Sequence, residues 1–344
     1  MRVLQSYPNG RATTNPYLLQ LGRSLGPRVE VFGFTWRRAL TARYDVFHVH
    51  WPEILLQGGT PARALARRML FRLLLTRLRR RRTAVVRTVH NVRSHESAPR
   101  RDQRLLRWFD QRTTLWIRLN PFTPLPAGAL ERTIPHGDYR DWFSVHPPGI
   151  PVPGRLLYFG LIRPYKGVEA LVDSFRQLGD DAPANVTPSV LAGVALTLRI
   201  VGSPQTSELA QHLQLAAHDD PRIEFVLRHA TDAELADAIG AAELVVLPYA
   251  EMHNSGAALL ALSLDRPVLV PRNVATSALA EEVGVDWVLT YDRPLSAEVL
   301  ADALARTRRP RGSLVPNLSQ RGWTDGAADH VEAYDRAVRA VHSR

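Results

Sequence analysis

The sequence predicts an α/β protein built of two doubly wound parallel sheets, and three observations carry that expectation. Short apolar runs alternate with amphipathic helical patterns along most of the 344 residues, the signature of successive βαβ units. Residues 147–154 (PPGIPVPG) interrupt the alternation with four prolines and two glycines, too rigid and donor-poor for a strand or helix, and are expected as an interdomain linker. The chain also changes sign there. Residues 1–150 hold 26 Arg/Lys and 9 Asp/Glu, a net charge of about +17, whereas residues 151–344 hold 18 and 24, about −6.

In the first half, strands are expected near 2–5, 29–34 (VEVFGF), 45–49 (DVFHV) and 84–89 (AVVRTV), with helices near 16–25, 61–80 and 100–113. After the break, strands are expected near 156–159 (LLYF), 196–201 (LTLRIV), 223–226 (IEFV), 244–247 (LVVL) and 268–270 (VLV). Helices near 168–178, 207–218, 232–241 and 255–264 separate them, and residues 179–195 read as a surface insertion. A last helix over 325–341 places Val331, Tyr334 and Val338 at helical spacing. The expected organisation is an N-terminal domain 1–146, the linker 147–154, a C-terminal domain 155–318, and a segment 319–344 whose helix packs back on the N-terminal domain.

With 45% apolar residues the chain has the composition of a globular protein, and with no cysteine it has neither disulfides nor a thiolate metal site. No stretch approaches 18 uninterrupted apolar residues, and residues 2–5 lead into SYPNG with no signal pattern, so a cytosolic protein or one on a cytosolic membrane face is expected. The 44 cations are 43 arginines and one lysine, Lys166. In so arginine-rich a chain, the retained lysine points to a site that needs a compact ammonium, as phosphate sites do.

In doubly wound folds ligands bind outside the carboxyl ends of the strands, so chemistry is sought just after them. Gly160 to Gly167 (GLIRPYKG) follows LLYF and opens a helix. Its glycines allow a tight turn, and Arg163 and Lys166 set two cations at the helix mouth, an arrangement suited to a diphosphate and unlike a Walker loop. Pro248 to Gly256 (PYAEMHNSG) follows LVVL, with Asn254 or Ser255 as helix cap and a positive dipole end for phosphate oxygens. In the first half, His48 to Glu53 (HVHWPE) and Thr88 to Asn91 (TVHN) close two strands, with His95 and Glu96 just beyond. Imidazoles and carboxylates so placed can exchange protons or bind a polyhydroxyl ligand. The spacing argues against zinc, since His48 and His50 should alternate to opposite faces of a strand.

Segment 61–82 mixes nine arginines with large apolar residues. A helical projection turns Leu65, Met69 and Leu73 toward a core and leaves Phe71, Leu74 and Leu78 among cations, as on a helix at an anionic membrane interface. No nucleic-acid recognition motif accompanies the charge, so nucleic acid is not an expected partner.

Several of these segments together resemble the xanthan-type GDP-mannose:glycolipid 4-β-D-mannosyltransferases, inverting glycosyltransferases of the GT-B architecture. The matching stretches are Thr14 to Tyr17, Arg43 to Val46, His48 to Glu53, Arg87 to Asn91, His136 to Phe143 (HGDYRDWF), Phe159 to Gly167, Met252 to Gly256 and Leu318 to Arg321. The resemblance implies two Rossmann-like domains facing a central cleft, GDP-mannose bound mainly by the second, and a polyprenyl-diphosphate-linked oligosaccharide acceptor on the first. It also implies peripheral attachment to the inner membrane and formation of a β-mannoside. Position 259 is Leu, so the paired glutamates that retaining relatives carry (E-x7-E, beginning here at Glu251) are absent.

Inversion needs a base for the acceptor hydroxyl and cations for the departing GDP. Glu53 is the expected base, with Glu96 and His90 as alternatives. Arg163, Lys166, Gly167, Glu251, His253, Asn254, Ser255 and Gly256 are expected to bind the donor. No metal or further cofactor is expected, and the Asp180-Asp181 and Asp219-Asp220 pairs read as solvated. Two rivals remain: transfer to a soluble glycoside or natural product, and a non-catalytic sugar-nucleotide-binding membrane scaffold.

Overall fold

The computed structural model describes residues 1–8, 15–90, 99–178, 193–218, 220–249, 252, 254–292 and 294–343. The chain forms two compact units, Met1–Gly137 with Gln320–Arg344, and Asp138–Ser319. Each contains a six-stranded, wholly parallel sheet.

In the first unit the strands are β1 (Arg2–Gln5), β2 (Glu30–Phe32), β3 (Val46–Val49), β4 (Ala84–Val89), β5 (Leu115–Arg118) and β6 (Glu131–Thr133), in the order β2-β1-β3-β4-β5-β6. The inner strands are apolar on both faces because both faces are covered. Val3, Val46 and Val86 pack on one side with α1 (Pro16–Leu25) and α12 (Trp323–His342). Leu4, Phe47 and Val85 pack on the other with α3 (Pro61–Arg80) and α4 (Arg100–Asp110), joined by Ala39 of the short α2 (Trp36–Thr41). Ala327, Ala333 and Ala337 of α12 keep that helix close to the sheet, and Tyr334 is fully buried against it.

The second unit has β7 (Arg155–Phe159), β8 (Thr197–Val201), β9 (Ile223–Val226), β10 (Leu244–Val246), β11 (Val268–Pro271) and β12 (Val288–Tyr291), in the order β12-β11-β10-β7-β8-β9. A short helix α5 (Arg140–Phe143) precedes β7, and α6 (Val168–Arg176), α7 (Ser207–Ala216), α8 (Asp232–Ala241), α9 (Gly256–Ser263), α10 (Val274–Val283) and α11 (Ala297–Thr307) follow. The strand order reverses between β7 and β10, the topological switch point at which such sheets bind ligands.

The structure departs from the sequence expectation in three places. Residues 147–154 lie within the second unit along α8: Val152 N donates to Ala241 O at 3.0 Å, and Gly149 meets Gly240 so closely that a Cβ on Gly240 would fall 2.2 Å from Gly149 N. A segment poor in N–H donors suits a helix flank, where few donors need partners. The chain passes between the units at Gly137/Asp138 and Ser319/Gln320 instead. After the first crossing, HGDYRDWF fastens the strand-free segment to the second unit: Tyr139 N donates to Ser263 Oγ, Arg140 pairs with Asp265 at 2.9 Å, Trp142 Nε1 donates to Asp232, and Phe143 is buried.

The second departure is the face of α3. Phe71, Leu74, Leu75 and Leu78 form the core face, and Leu65, Met69 and Leu73 stand 55%, 59% and 58% exposed. Both stripes have helical spacing, so periodicity alone could not choose between them. The third concerns omitted elements. β5, β6, β12, α2, α10 and α11 are not marked by the alternation; β6 reads ERT and is half-buried throughout, whereas α11 carries a Ser296 cap and an apolar face that were legible in the sequence.

Candidate active site

In the second unit, two βα loops meet at the switch point. The loop after β7 turns at Gly160 (φ 118°) and ends at Gly167 (φ 68°), which is also the N-cap of α6 and provides no side-chain cap. Gly160 O touches Gly202 beyond β8 so closely that a Cβ on Gly202 would fall 1.8 Å away, and a Cβ on Gly167 would lie 3.0 Å from Pro248 O. Both approaches require glycine. They bring Lys166 across to the loop after β10, where its ammonium lies 4.9 Å from the Tyr249 ring centroid. Tyr249 OH in turn shares a 2.5 Å hydrogen bond with Ser255 Oγ, and Ser255 caps α9 by accepting from Ala258 N. Asn273 Nδ2 donates to Met252 O, tying in the loop after β11.

Partial burial, with Arg163 close by, pushes the Lys166 ammonium down to about 8. The arrangement offers two neighbouring cations and the amide ends of α6 and α9 to one anionic ligand. Arg163, Lys166, Asn254 and Gly256 are all half-buried. Glu251 and His253 lie outside the described residues.

In the first unit, β3 and β4 are adjacent and parallel, so the ends of HVHWPE and TVHN come together. β3 stops at Val49, and the bend at His50 overrides strand alternation: the His48 and His50 rings are 4.3 Å apart, not on opposite faces. His48 is fully buried between Thr88 Oγ1 and Tyr334 OH, each 2.8 Å from one ring nitrogen. His50 Nδ1 lies 3.0 Å from His90 Nε2, and the His90 ring stacks on Trp51 at 4.3 Å and 23°. Glu53 follows in a 3-10 turn, Pro52–Leu56, and is half-buried. His95 and Glu96 lie outside the described residues.

His136, beside Tyr17, and His330 of α12 complete a group of five imidazoles. Burial pushes His90 down to about 3, His136 and His330 to about 4, and His48 and His50 well below the ordinary imidazole value, with like neighbours adding to the shift at His48, His50 and His90. Among the described residues no group of three or more His, Asp or Glu side chains is arranged to hold a metal. Sequence reading did not single out Gln5, Tyr17 or Tyr334 for this cluster. For Gln5 a signal existed, a polar residue closing an otherwise apolar buried strand; for Tyr17 and Tyr334 none did, because their neighbours are remote in sequence.

No family model matches the chain. Two curated GDP-mannose:glycolipid 4-β-D-mannosyltransferases from Xanthomonas campestris pv. campestris are 45% and 44% identical to it over 337 residues, 98% of this chain and 92% of each relative. Among solved structures, a glycosyltransferase of avilamycin A biosynthesis superposes with a TM-score of 0.59 at 14% identity, covering 98% of both chains. The catalytic domain of starch synthase IV from Arabidopsis thaliana, bound to ADP and acarbose, gives 0.63 at 10% identity over 98% of this chain and 99% of its own. The structural likenesses establish the fold as GT-B, and the near full-length identity establishes more: the chain is a glycosyltransferase that belongs to the GDP-mannose:glycolipid 4-β-D-mannosyltransferase family.

Proposed function

We propose that the protein transfers a mannosyl group from GDP-mannose to a hydroxyl of a glycolipid, a polyprenyl-diphosphate-linked oligosaccharide, with inversion to a β-mannoside. The observation that carries this reading is the 45% identity, spread over 98% of the chain, to an enzyme named as a GDP-mannose:glycolipid 4-β-D-mannosyltransferase; the polyprenyl-diphosphate carrier and the inversion are drawn from the resemblance. The convergence of Arg163, Lys166 and the ends of α6 and α9 at the switch point supports its donor half.

In a single displacement the acceptor oxygen forms its bond to the anomeric carbon as the bond to GDP breaks; the hydroxyl proton goes to a base and the new charge stays on the diphosphate. We assign that charge to Arg163, Lys166 and the first-turn amides beginning at Gly167 and Gly256, with Ser255 shaping the second of these ends. Glu251, His253 and Asn254 belong to the same donor-binding loop. Glu53 is the assigned base. His90, held near 3 by burial, is a poor proton acceptor at neutral pH, and Glu96 is the remaining alternative. No metal enters the step.

We assign attachment to the membrane to α3. Its exposed stripe of Leu65, Met69 and Leu73 runs beside exposed Arg72, Arg79 and Arg80, a pairing of apolar groups with cations that fits an anionic lipid surface. No helix among the described residues is long and apolar enough to cross a membrane.

The test is GDP release in EDTA from purified protein given GDP-mannose, with and without a lipid-linked oligosaccharide fraction, and with UDP-glucose and UDP-glucuronate as parallel donors. Release that the lipid fraction stimulates and that is specific to GDP-mannose is expected. Donor binding without stimulation would point to a soluble acceptor, and no binding would reject the donor. Glu53→Gln should keep GDP binding while transfer falls at least a hundredfold, about the contribution of a general base; unchanged transfer would remove Glu53 from that role.

A further inference from the structure

The second unit has a cleft of about 360 Å³ at the amino ends of β7, β10 and β11, the opposite end of the sheet from the donor loops. β7 is five residues long, so the two ends stand about 13 Å apart. One wall of the cleft is Pro151 to Pro153, from the segment that the sequence suggested as a linker. The others include Arg266, which leads into β11, and Arg308 and Arg311, which follow α11.

The three guanidiniums differ in their partners. Arg308 Nε and Nη2 bond the Glu243 carboxylate at 2.7 and 3.0 Å, and the other lining carboxylate, Asp265, is held by Arg140 at 2.9 Å. Among the described residues, Arg266 and Arg311 bond only neutral carbonyls. Arg266 Nε and Nη2 donate to Gly240 O, near the carboxyl end of α8, and its Nη1 donates to Asp265 O. Arg311 Nη2 donates to Thr307 O at 3.4 Å, and its guanidinium lies 4.4 Å from the Trp287 ring centroid. Its Nε is buried with no hydrogen-bond partner among the described residues.

Helix ends account for part of this. Carboxyl-terminal carbonyls attract cations, and Arg266 meets that need at α8. A guanidinium carries five N–H donors, however, so one N–H on each terminal nitrogen of Arg266 and three on those of Arg311 are left for a further acceptor. Burial disfavours the charge on both, and at Arg266 the nearby Arg311 adds to that effect while Asp265 opposes it. Asp286 and Glu243 favour the charge on Arg311 only from beyond ion-pair distance; Asp286 accepts from Gly312 N, and Glu243 is paired with Arg308. Like charges partly stripped of water and without a carboxylate of their own are compensated by an anion from outside. The proline wall adds no donor, because Pro151 and Pro153 have no N–H and Val152 N bonds Ala241 O. Recognition therefore falls on the guanidinium forks, whose paired donors match phosphate oxygens.

We propose that this cleft is a second anion site, which binds a phosphate group, free or as a small monoester, on the guanidiniums of Arg266 and Arg311. The site does not depend on the proposed reaction, since none of its residues belongs to the donor loops.

The experiment reads the indole N–H of Trp287, whose ring lies against Arg311 and whose Nε1 donates to Ser313 Oγ at 3.1 Å. Full-length protein labelled with ¹⁵N-tryptophan is titrated with inorganic phosphate and, separately, with glucose 6-phosphate, at an ionic strength held constant with chloride. The Trp287 resonance is assigned by comparison with Trp287→Phe. At least one titrant should shift it saturably, with a half-point in the millimolar range or below, and the tighter of the two tells whether the group is taken free or as a monoester. Arg311→Gln and Arg266→Gln should each raise that half-point about tenfold or more, the scale of a lost hydrogen bond between charged groups. Lys166→Ala, which alters the donor loops, should leave it unchanged. No saturation by either titrant, or the same shift with chloride alone, would mean screening by salt only and would overturn the proposal. A shift lost in Lys166→Ala and kept in Arg311→Gln would put the phosphate at the donor loops and overturn it equally.

Discussion

Lys166 is the one lysine among 44 cationic residues, and it sits where two loops from different strands touch. Its ammonium, held near 8 by burial and then by Arg163, is charged below that pH and neutral above it. An anionic diphosphate binds the charged form, so kcat/KM for GDP-mannose should be flat below about pH 8 and fall up to tenfold per unit above it, read from initial rates at constant ionic strength. Lys166→Ala should raise the donor KM and slow turnover, and its profile should lose the break near pH 8. A break that survives in Lys166→Ala would belong to another group. The loop carrying Lys166 was legible in the sequence, because glycines and cations between a strand and a helix have a linear pattern. Its partner Tyr249 and the link through Ser255 were not, because a contact between loops from β7 and β10 is set by strand order and not by spacing.

At the scale of elements, α3 presents two apolar stripes with different fates. Leu74→Ala should lower stability by about 2–5 kcal/mol, the range for a fully buried leucine, and shift the thermal midpoint. The triple variant Leu65→Ser, Met69→Ser, Leu73→Ser should leave the midpoint unchanged and weaken co-sedimentation with vesicles containing anionic lipid. Equal sedimentation of the triple variant and the wild type would remove α3 from membrane contact. On β4, Arg87 is a charge buried in the sheet, paired with Asp110 of α4 and stacked over Trp116 at 5.0 Å. Arg87→Ala removes that ion pair and strips the stack, and denaturant melts should show a loss of about 1.5–3 kcal/mol, the scale of a hydrogen bond to a charged group.

For the molecule as a whole, the four buried imidazoles of His48, His50, His136 and His330 and the half-buried ring of His90 all belong to the first unit. Each has a folded-state pKa below that of an exposed imidazole, near 6.5, so the unfolded chain takes up protons that the folded unit excludes. Their stabilising effect is complete above about pH 6.5 and is lost as pH falls toward 4. For His136 and His330, both held near 4, the loss is on the order of 3 kcal/mol each. Thermal melts from pH 7 to 4.5 should therefore show the first unit unfolding at steadily lower temperature, followed by tryptophan fluorescence of Trp51, Trp116 and Trp323. A midpoint independent of pH in that range would mean that these rings are not held neutral. His330 and Tyr334 enter the cluster on α12, which follows the whole second unit in sequence. Removal of that helix would open the first core from a terminus far from β1 in sequence.

The sequence by itself determined the alternation of parallel strands and helices, the family, and the loops in which donor chemistry is sought. Those features are local: a strand, a turn that needs glycine and a helix mouth are each written within about ten consecutive residues. Tertiary structure decided which stripe of α3 is core, where PPGIPVPG lies, and that buried His48, His50, His136 and His330 and half-buried His90 form one group with Gln5 and Tyr334. Two apolar stripes of equal period differ only in what packs against them. A proline-rich segment is as compatible with a helix flank as with a linker. Imidazoles spread from β3 to α12 become neighbours only when parallel strands and a returning helix bring their ends to one place, and the burial that follows is what holds them neutral.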